Sequence, residues 1–284
     1  MPYPDRLPTA SVAAETEESM HDQDQGGIQY SVSDRIAHIE IDRPAKHNAL
    51  TLALIRQLGD ALDRFDQDLE ANVAVLSGRG KSFCAGADIA ESQMASREEM
   101  AASRDQMSVG HPFFELFSRS LNHKPVIAAL HGNVLGLGLG LALDCDLIVC
   151  DATARLQVTE TPRGLGGYRH LALMKARGCG IWADEVCLTG RLFSADEARQ
   201  AGLFNSVAAA GEALPAAFAL AASIAANPPL SVRETNRIRR WHFSKLVREI
   251  AFQTGHLKLH LTEDFEEAVR AMVEKRKPGP FKAR

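Results

Sequence analysis

HGNVLGLGLGLALDCD, residues 131–146, is a glycine-spaced turn between apolar runs. The run before it, PVIAAL at residues 125–130, reads as a buried strand. Gly132, Gly136, Gly138 and Gly140 lead into a helix whose start includes residues 139–143. Glycines permit close backbone approach, and a helix N-terminus carries partial positive charge. Strand, turn and helix in this order suit an anion, or an oxyanion that develops during a reaction. The same pattern also serves plain tight packing, so a second motif has to decide between the two.

That motif is SFCAGADI, residues 82–89, just after a strand-like run at 73–77. AGAD, then PVIAALHG about fifty residues later, then the glycine-rich turn resemble the enoyl-CoA hydratase/isomerase family, the crotonases. IDRPAKHNAL at 41–50, LTGRLFSADEARQAGL at 188–203 and VEKRKPGPF at 273–281 extend the resemblance over about nine-tenths of the chain. It implies an α/β fold, the crotonase spiral of β-β-α turns with a helical C-terminal trimerisation region. It also implies an acyl-CoA thioester as substrate and a homotrimer or dimer of trimers as the assembly. No separate cofactor is implied, because CoA is part of the substrate.

Composition is compatible with this. A chain of 284 residues with 45% hydrophobic content can bury one large core. No apolar run reaches the roughly 18 residues of a spanning helix, and the N-terminus lacks a basic-then-apolar leader pattern. We expect a soluble cytoplasmic protein with no membrane partner. Cys84, Cys145, Cys150, Cys179 and Cys187 are odd in number, lack C-x-x-C spacing, and read as buried thiols of a reducing compartment. No metal-ligand cluster and no GxxxxGK[ST] phosphate loop is present in the sequence.

Residues 1–27 carry six acidic side chains against one arginine, with little apolar content, and are expected to be a disordered acidic tail. Residues 28–210 form the expected core. Strands are expected at 28–33 and 36–42 around Asp34-Arg35, and a helix capped by Thr51 with Leu52, Ile55, Leu58, Leu62, Phe65 and Leu69 on one face. Another helical region spans 96–122, and strands are expected at 147–150 and 155–158. Ser194 and Glu197 make a capping box, with Gly202 as the helix stop. Residues 211–284 read as mostly helical, broken near Pro228-Pro229. From Arg233 onward 13 basic residues face 7 acidic ones, a basic end suited to phosphates or simply to solvent. Nucleic-acid binding is disfavoured by the net charge of −4 and an aromatic content of 6%.

Reactions of this family pass through a thioester enolate, whose oxygen two convergent backbone N–H groups can stabilise by a few kcal/mol. By resemblance the donors are the N–H groups of Ala87 and Leu137. Most relatives carry glycine at the second position, so Leu137 would have to adopt the geometry of a glycine, and its side chain would narrow the acyl pocket. Hydratases of the family use two glutamates. The second matches Glu160 in VTETPRGLGG, and the first falls on Gly140, which has no side chain. Hydration needs a water activated at one carbon and a proton delivered to the next, whereas double-bond migration needs one base. The residues therefore favour one-base isomerisation through Glu160. A hydratase with a substitute second acid/base, and a non-catalytic acyl-CoA binder, are the alternatives.

Asp144 lies one turn beyond Gly140 and is the first substitute to consider, although a structural role suits it better. Tyr168, Arg169 and His170 stand where relatives carry a proline and glycines, and a side chain from there could enter the pocket. His111 and His131 rank lower. Asp146 and Asp151 are expected to fix turns and caps. The resemblance assigns substrate and CoA contacts to Lys46, His47, Ala85, Ala87, Asp88, Ile89, Ala90, Gly136, Lys277, Phe281 and Lys282. Ala90 stands where many relatives have a nucleotide-binding lysine. Lys275, Arg276, Lys277 and Lys282 could instead supply phosphate contacts, including to a neighbouring subunit's ligand.

Overall fold

The computed structural model describes residues 26–88, 124–254 and 258–284. The acidic tail, the 96–122 helical region with His111, and Ile89 and Ala90 lie outside the described residues. The main body is a six-stranded sheet in the order β1-β2-β3-β4-β6-β9, beside a small sheet β5-β7-β8. β1 (Gly27–Ser33) and β2 (Ile36–Asp42) pair antiparallel around Asp34 and Arg35, which both take positive φ. β3 (Val73–Gly78), β4 (Val126–Leu130), β6 (Leu147–Asp151) and β9 (Ser206–Ala208) then join in parallel. β3 and β4 are buried along their whole length, which is why VAVLSG and VIAAL show no polar alternation.

The chain winds between the sheets in repeated turns. From β4 it visits β5 (Asn133–Leu135) in the small sheet, forms α2 (Leu137–Asp144), and returns to the large sheet as β6. From β6 it visits β7 (Arg155–Gln157) and passes through α3 (Tyr168–Ala176) and α4 (Gly180–Thr189). It then crosses β8 (Leu192–Phe193) and α5 (Ala195–Gln200) to reach β9. This is the expected β-β-α spiral. The reciprocal bonds of the Ser194–Glu197 capping box start α5.

α1 (Leu52–Gln67) starts where the Leu54 N–H donates to Thr51 Oγ1 at 3.2 Å. Its buried face is Leu54, Ile55, Leu58, Ala61, Leu62 and Phe65. Leu69 falls beyond the end of the helix and is 80% exposed, so it drops out of the face drawn from sequence spacing. Lys124 closes the same helix by donating from Nζ to the carbonyls of Phe65 (2.8 Å) and Asp68 (2.6 Å).

Three helices follow: α6 (Ala213–Ala225), α7 (Pro229–Thr254) and α8 (Glu263–Val273). α6 lies on the outer face of the large sheet, where Ala213, Ala217 and Ala221 pack with Ile36, Val73, Val75, Ile127 and Val149. α7 is tied to the core by Asp146, whose two oxygens accept from Arg239 (2.6 Å) and Arg240 (2.5 Å), while Oδ2 also accepts from Val126 N. Asp151 accepts from Thr153 and from the Gly211 N–H, so both aspartates hold turns and element ends as expected. All five thiols are buried, and burial pushes those of Cys84, Cys150 and Cys187 up to about 12. Among the described residues no single helix is long and apolar enough to cross a membrane.

Gly138 allows a close backbone approach at the start of α2. A Cβ there would stand 2.3 Å from Cys84 O and 2.8 Å from Cys84 Cβ. Gly138→Ala is expected to destabilise the fold by about 1–3 kcal/mol, the usual cost of overpacking. The midpoint of urea unfolding would show it, and an unchanged midpoint would mean that α2 can move away freely.

Candidate active site

Two backbone segments meet at the head of α2. Cys84 N–H donates to Asn133 O, Leu135 N–H donates to Cys84 O, and Phe83 N–H donates to His131 O. These bonds run residues 83–87 alongside β5. Gly86 sits at φ 106°, with its would-be Cβ 3.0 Å from Leu135 O and 3.7 Å from Leu137 N. The 86–87 peptide thus lies beside the first N–H of α2. Neither the Ala87 nor the Leu137 N–H donates to another described residue. The left-handed turn is made by Gly136 (φ 48°) and not by Leu137, which has no positive φ and begins the helix without strain. This corrects the expectation that Leu137 must copy a glycine's geometry. The helix also starts two residues earlier than its sequence suggested.

Glu160 is brought to the same place by β7. A Cβ on Gly136 would meet Thr159 Oγ1 at 2.3 Å and Glu160 Oε1 at 3.3 Å. Glu160 is followed by a tight turn in which its own carbonyl accepts from Arg163 N and Leu165 N. That turn is braced on two sides. Thr161 Oγ1 donates to Cys187 O at 2.7 Å, and Leu165 packs on Phe265 and Val269 of α8. Gly164 (φ 74°) touches the α8 backbone, a Cβ there lying 3.0 Å from Phe265 Cα. The carboxylate is largely buried. Its Oε2 has no hydrogen-bond partner, and the nearest ring nitrogen, His170 Nδ1, is 3.8 Å away. Burial pulls the Arg163 guanidinium below its usual range, and the nearby Glu160 charge opposes this.

The empty position at Gly140 is filled from α3. A Cβ there would meet His170 Nε2 at 3.2 Å and Arg169 Nη1 at 3.5 Å. Arg169 Nη2 donates to both oxygens of Asp144, at 2.7 and 2.5 Å. Asp144 is therefore committed to a buried ion pair and is no free acid or base. The Tyr168 ring folds over Gly166, where a Cβ would lie 2.4 Å from Tyr168 Cδ1. Of the three, His170 is the residue whose part was underrated by sequence. The available signal was that two departures from the family pattern, at 140 and at 168–170, occur together.

The remaining expected contacts fall in two groups. Lys46 and His47 are exposed at the turn after β2, with His47 Nδ1 3.2 Å from Ser82 Oγ. Buried Asn48 ties that turn to the loop between β3 and AGAD by donating to Arg79 O and Ser82 O. Ala85 N–H donates to His47 O, so these residues and Ala85 form one edge. The Asp88 carboxylate is held by Arg43 at 2.6 Å, which gives its side chain a structural task. Lys277, Phe281 and Lys282 are exposed on a C-terminal segment that folds back on α8 of the same chain. There Lys282 Nζ pairs with Glu263 at 3.1 Å. His131 Nε2 bonds Gly80 O, a turn role. The described residues contain no His/Cys/Asp/Glu group able to hold a metal ion.

The enoyl-CoA hydratase/isomerase family model matches residues 31–284. The chain belongs to the enoyl-CoA hydratase/isomerase family. It is 32% identical over 262 residues to 2,3-dehydroadipyl-CoA hydratase of Escherichia coli, covering 88% of this chain and 96% of that one. It is 30% identical over 275 residues to the mitochondrial Δ3,5-Δ2,4-dienoyl-CoA isomerase of Mus musculus, covering 91% and 83%. An enoyl-CoA hydratase/isomerase crystal structure from Pseudoalteromonas atlantica superposes with a TM-score of 0.77 at 26% identity, covering 90% of this chain and 100% of that one. The protein has the crotonase fold and is an acyl-CoA enzyme of this family.

The surroundings of Gly140 make a specific expectation. Gly140→Glu should not restore hydration, because its Cβ meets His170 and its carboxylate finds Arg169. Gly140→Glu combined with His170→Ala removes the crowding and should raise crotonyl-CoA hydration about tenfold or more over the wild type. Loss of the conjugated thioester absorbance measures both variants. A gain in the single variant equal to that in the double would show that His170 does not obstruct the site.

Proposed function

We propose that this enzyme moves a double bond within an enoyl-CoA, with Glu160 as its single base. The observation that carries the reading is the filling of the Gly140 position by His170 and Arg169, where a hydratase would present its first glutamate. Glu160 removes a proton from the acyl chain. The thioester oxygen gains charge and is met by the N–H groups of Ala87 and Leu137. Two aligned donors in a water-poor site contribute a few kcal/mol to such a transition state. The same carboxylate then returns the proton at another carbon. One positioned group suffices for both transfers, and typical contributions of such a group are 10²–10⁴-fold. Hydration would need a second group to handle the water, and Asp144 is bound to Arg169. Lys46 and His47 beside Ala85, and the AGAD segment, would carry the CoA portion. No separate cofactor enters this scheme.

Relatives with hydratase and with isomerase names share similar identity with this chain, so only the residue chemistry separates the two reactions. Glu160→Gln should lower turnover by at least about 10²-fold while leaving acyl-CoA affinity nearly unchanged. In deuterated buffer the wild type should exchange an α or γ proton of a suitable enoyl-CoA, followed by mass spectrometry, and should hydrate crotonyl-CoA poorly. Hydration with a kcat of about 10³ s⁻¹, the top of the usual range, would sink the one-base reading.

We also propose a trimer or dimer of trimers assembled through α7. Leu230, Trp241 and Phe252 on this helix are exposed, at 72%, 54% and 80%. They are eleven residues apart, close to three helical turns, and so share one face. Light scattering at micromolar concentration should give three or six chains, and Trp241→Glu should shift the distribution to smaller species. A wild-type monomer would count against the assembly.

A further inference from the structure

His170 touches both halves of the proposed chemistry. It is 5% exposed, with its ring packed among protein groups. Its Nε2 is 2.9 Å from Gly136 O. A carbonyl only accepts, so Nε2 carries a hydrogen and donates. Its Nδ1 faces Glu160 Oε2, the buried oxygen without a hydrogen-bond partner, at 3.8 Å. The Gly136 carbonyl belongs to the same peptide unit as the Leu137 N–H. In a planar trans peptide these two groups point in opposite directions. A donor on the carbonyl therefore leaves the N–H free on the far side, and it polarises the amide so that the N–H donates more strongly. The other charged groups around the ring are Arg169, which is neutralised by Asp144, and Arg163, which acts on Glu160.

We propose that His170 is a positioning residue that couples Glu160 to the Leu137 oxyanion donor through the Gly136 peptide. The inference rests on the reading of Glu160 and Leu137 given above. With Nε2–H held by Gly136 O, Nδ1 is the nitrogen that faces Glu160. Glu160 acts as the base through Oε1, and its Oε2 faces Nδ1. The proton taken from the acyl carbon goes to Oε1 and leaves from Oε1 to the product carbon, so the pair gains and loses no net proton over a cycle. While the enolate exists, the Nε2–H bond to Gly136 O polarises the peptide toward the Leu137 N–H that meets the oxyanion. The gap of 3.8 Å is longer than a hydrogen bond, and catalytic contacts of this kind commonly tighten on ligand binding. The histidine thus occupies the space of the lost glutamate without taking over its contact with water.

The test reads the carbonyl itself. A series of saturated acyl-CoAs labelled with ¹³C at the thioester carbon is bound to the full-length protein, and infrared spectroscopy records the carbonyl stretch of the tightest binder. His170→Ala should raise the stretch toward the value of the free thioester. It should also lower kcat by about 10- to 100-fold, part of the loss seen when an oxyanion donor is removed outright. Affinity should change by less than about threefold, because the lost interaction belongs to the transition state. His170→Gln, whose amide N–H can replace Nε2–H, should recover most of the stretch. Gly140→Ala places a methyl 3.2 Å from Nε2 and should raise the stretch by pressing on the histidine without replacing it, which decides the matter if His170→Ala does not fold. A folded variant with wild-type stretch overturns the proposal, whether kcat is unchanged or falls together with affinity. Fast crotonyl-CoA hydration by the wild type would remove the one-base reading yet leave the stretch comparison valid. Failure of every acyl-CoA to bind would remove both.

Discussion

Backbone meets backbone where Gly138 lies on Cys84 and Gly86 lies on Leu135, and no side chain fits at either contact. The closeness lets residues 83–87 bond to the chain from His131 to Leu135 and bridges Cys84 with Val134. It brings a loop that follows β3 onto a helix that follows β5, so it locks one turn of the spiral to the next. The same contact brings the peptide between Gly86 and Ala87 beside the start of α2 at Leu137. Fold and site thus share one constraint, and a Cβ at either glycine disturbs both.

Carboxylates around this contact divide by their partners. Asp144 is held by Arg169, Asp146 by Arg239 and Arg240, and Asp88 by Arg43. Removing one member of such a buried pair strands the other, at a cost of about 3–5 kcal/mol. These groups fasten helices and strands. Glu160 stands apart, with a buried oxygen that accepts no hydrogen bond and a histidine at ion-pair distance. Its place is set by its backbone turn and not by an arginine fork.

The bracing of that backbone comes from far along the chain. Phe265 and Val269 of α8 cover Leu165, and the α8 backbone lies against Gly164. α8 is itself closed by the terminal segment, whose Gly279 and Lys282 N–H groups bond Glu267 and Asp264. Arg276 and the Gly279 N–H hold the Glu267 carboxyl down at about 2. The helical C-terminal region therefore supports the Glu160 turn of its own chain, in addition to any role between subunits.

While the short β5, β8 and β9 left no signal in it, the sequence by itself determined the α/β class, six of the nine described strands and the glycine-marked turn. These are legible because they rest on local rules. Buried parallel strands lack polar alternation, Thr51 and Ser194 announce helix starts, and glycine spacing marks close backbone approach. It also showed that Gly140 lacks a carboxylate. Only the tertiary structure decided what fills that gap. His170 and Arg169 are thirty and twenty-nine residues away in the chain, and α3 must fold back on α2 before either reaches it. No local pattern distinguishes a histidine at a helix start that faces solvent from one that joins a carboxylate to a peptide carbonyl. Likewise the resemblance implies a glycine's geometry for Leu137, because most relatives carry glycine at that position. The fold assigns it to Gly136, where Thr159 and Glu160 leave no room for a Cβ.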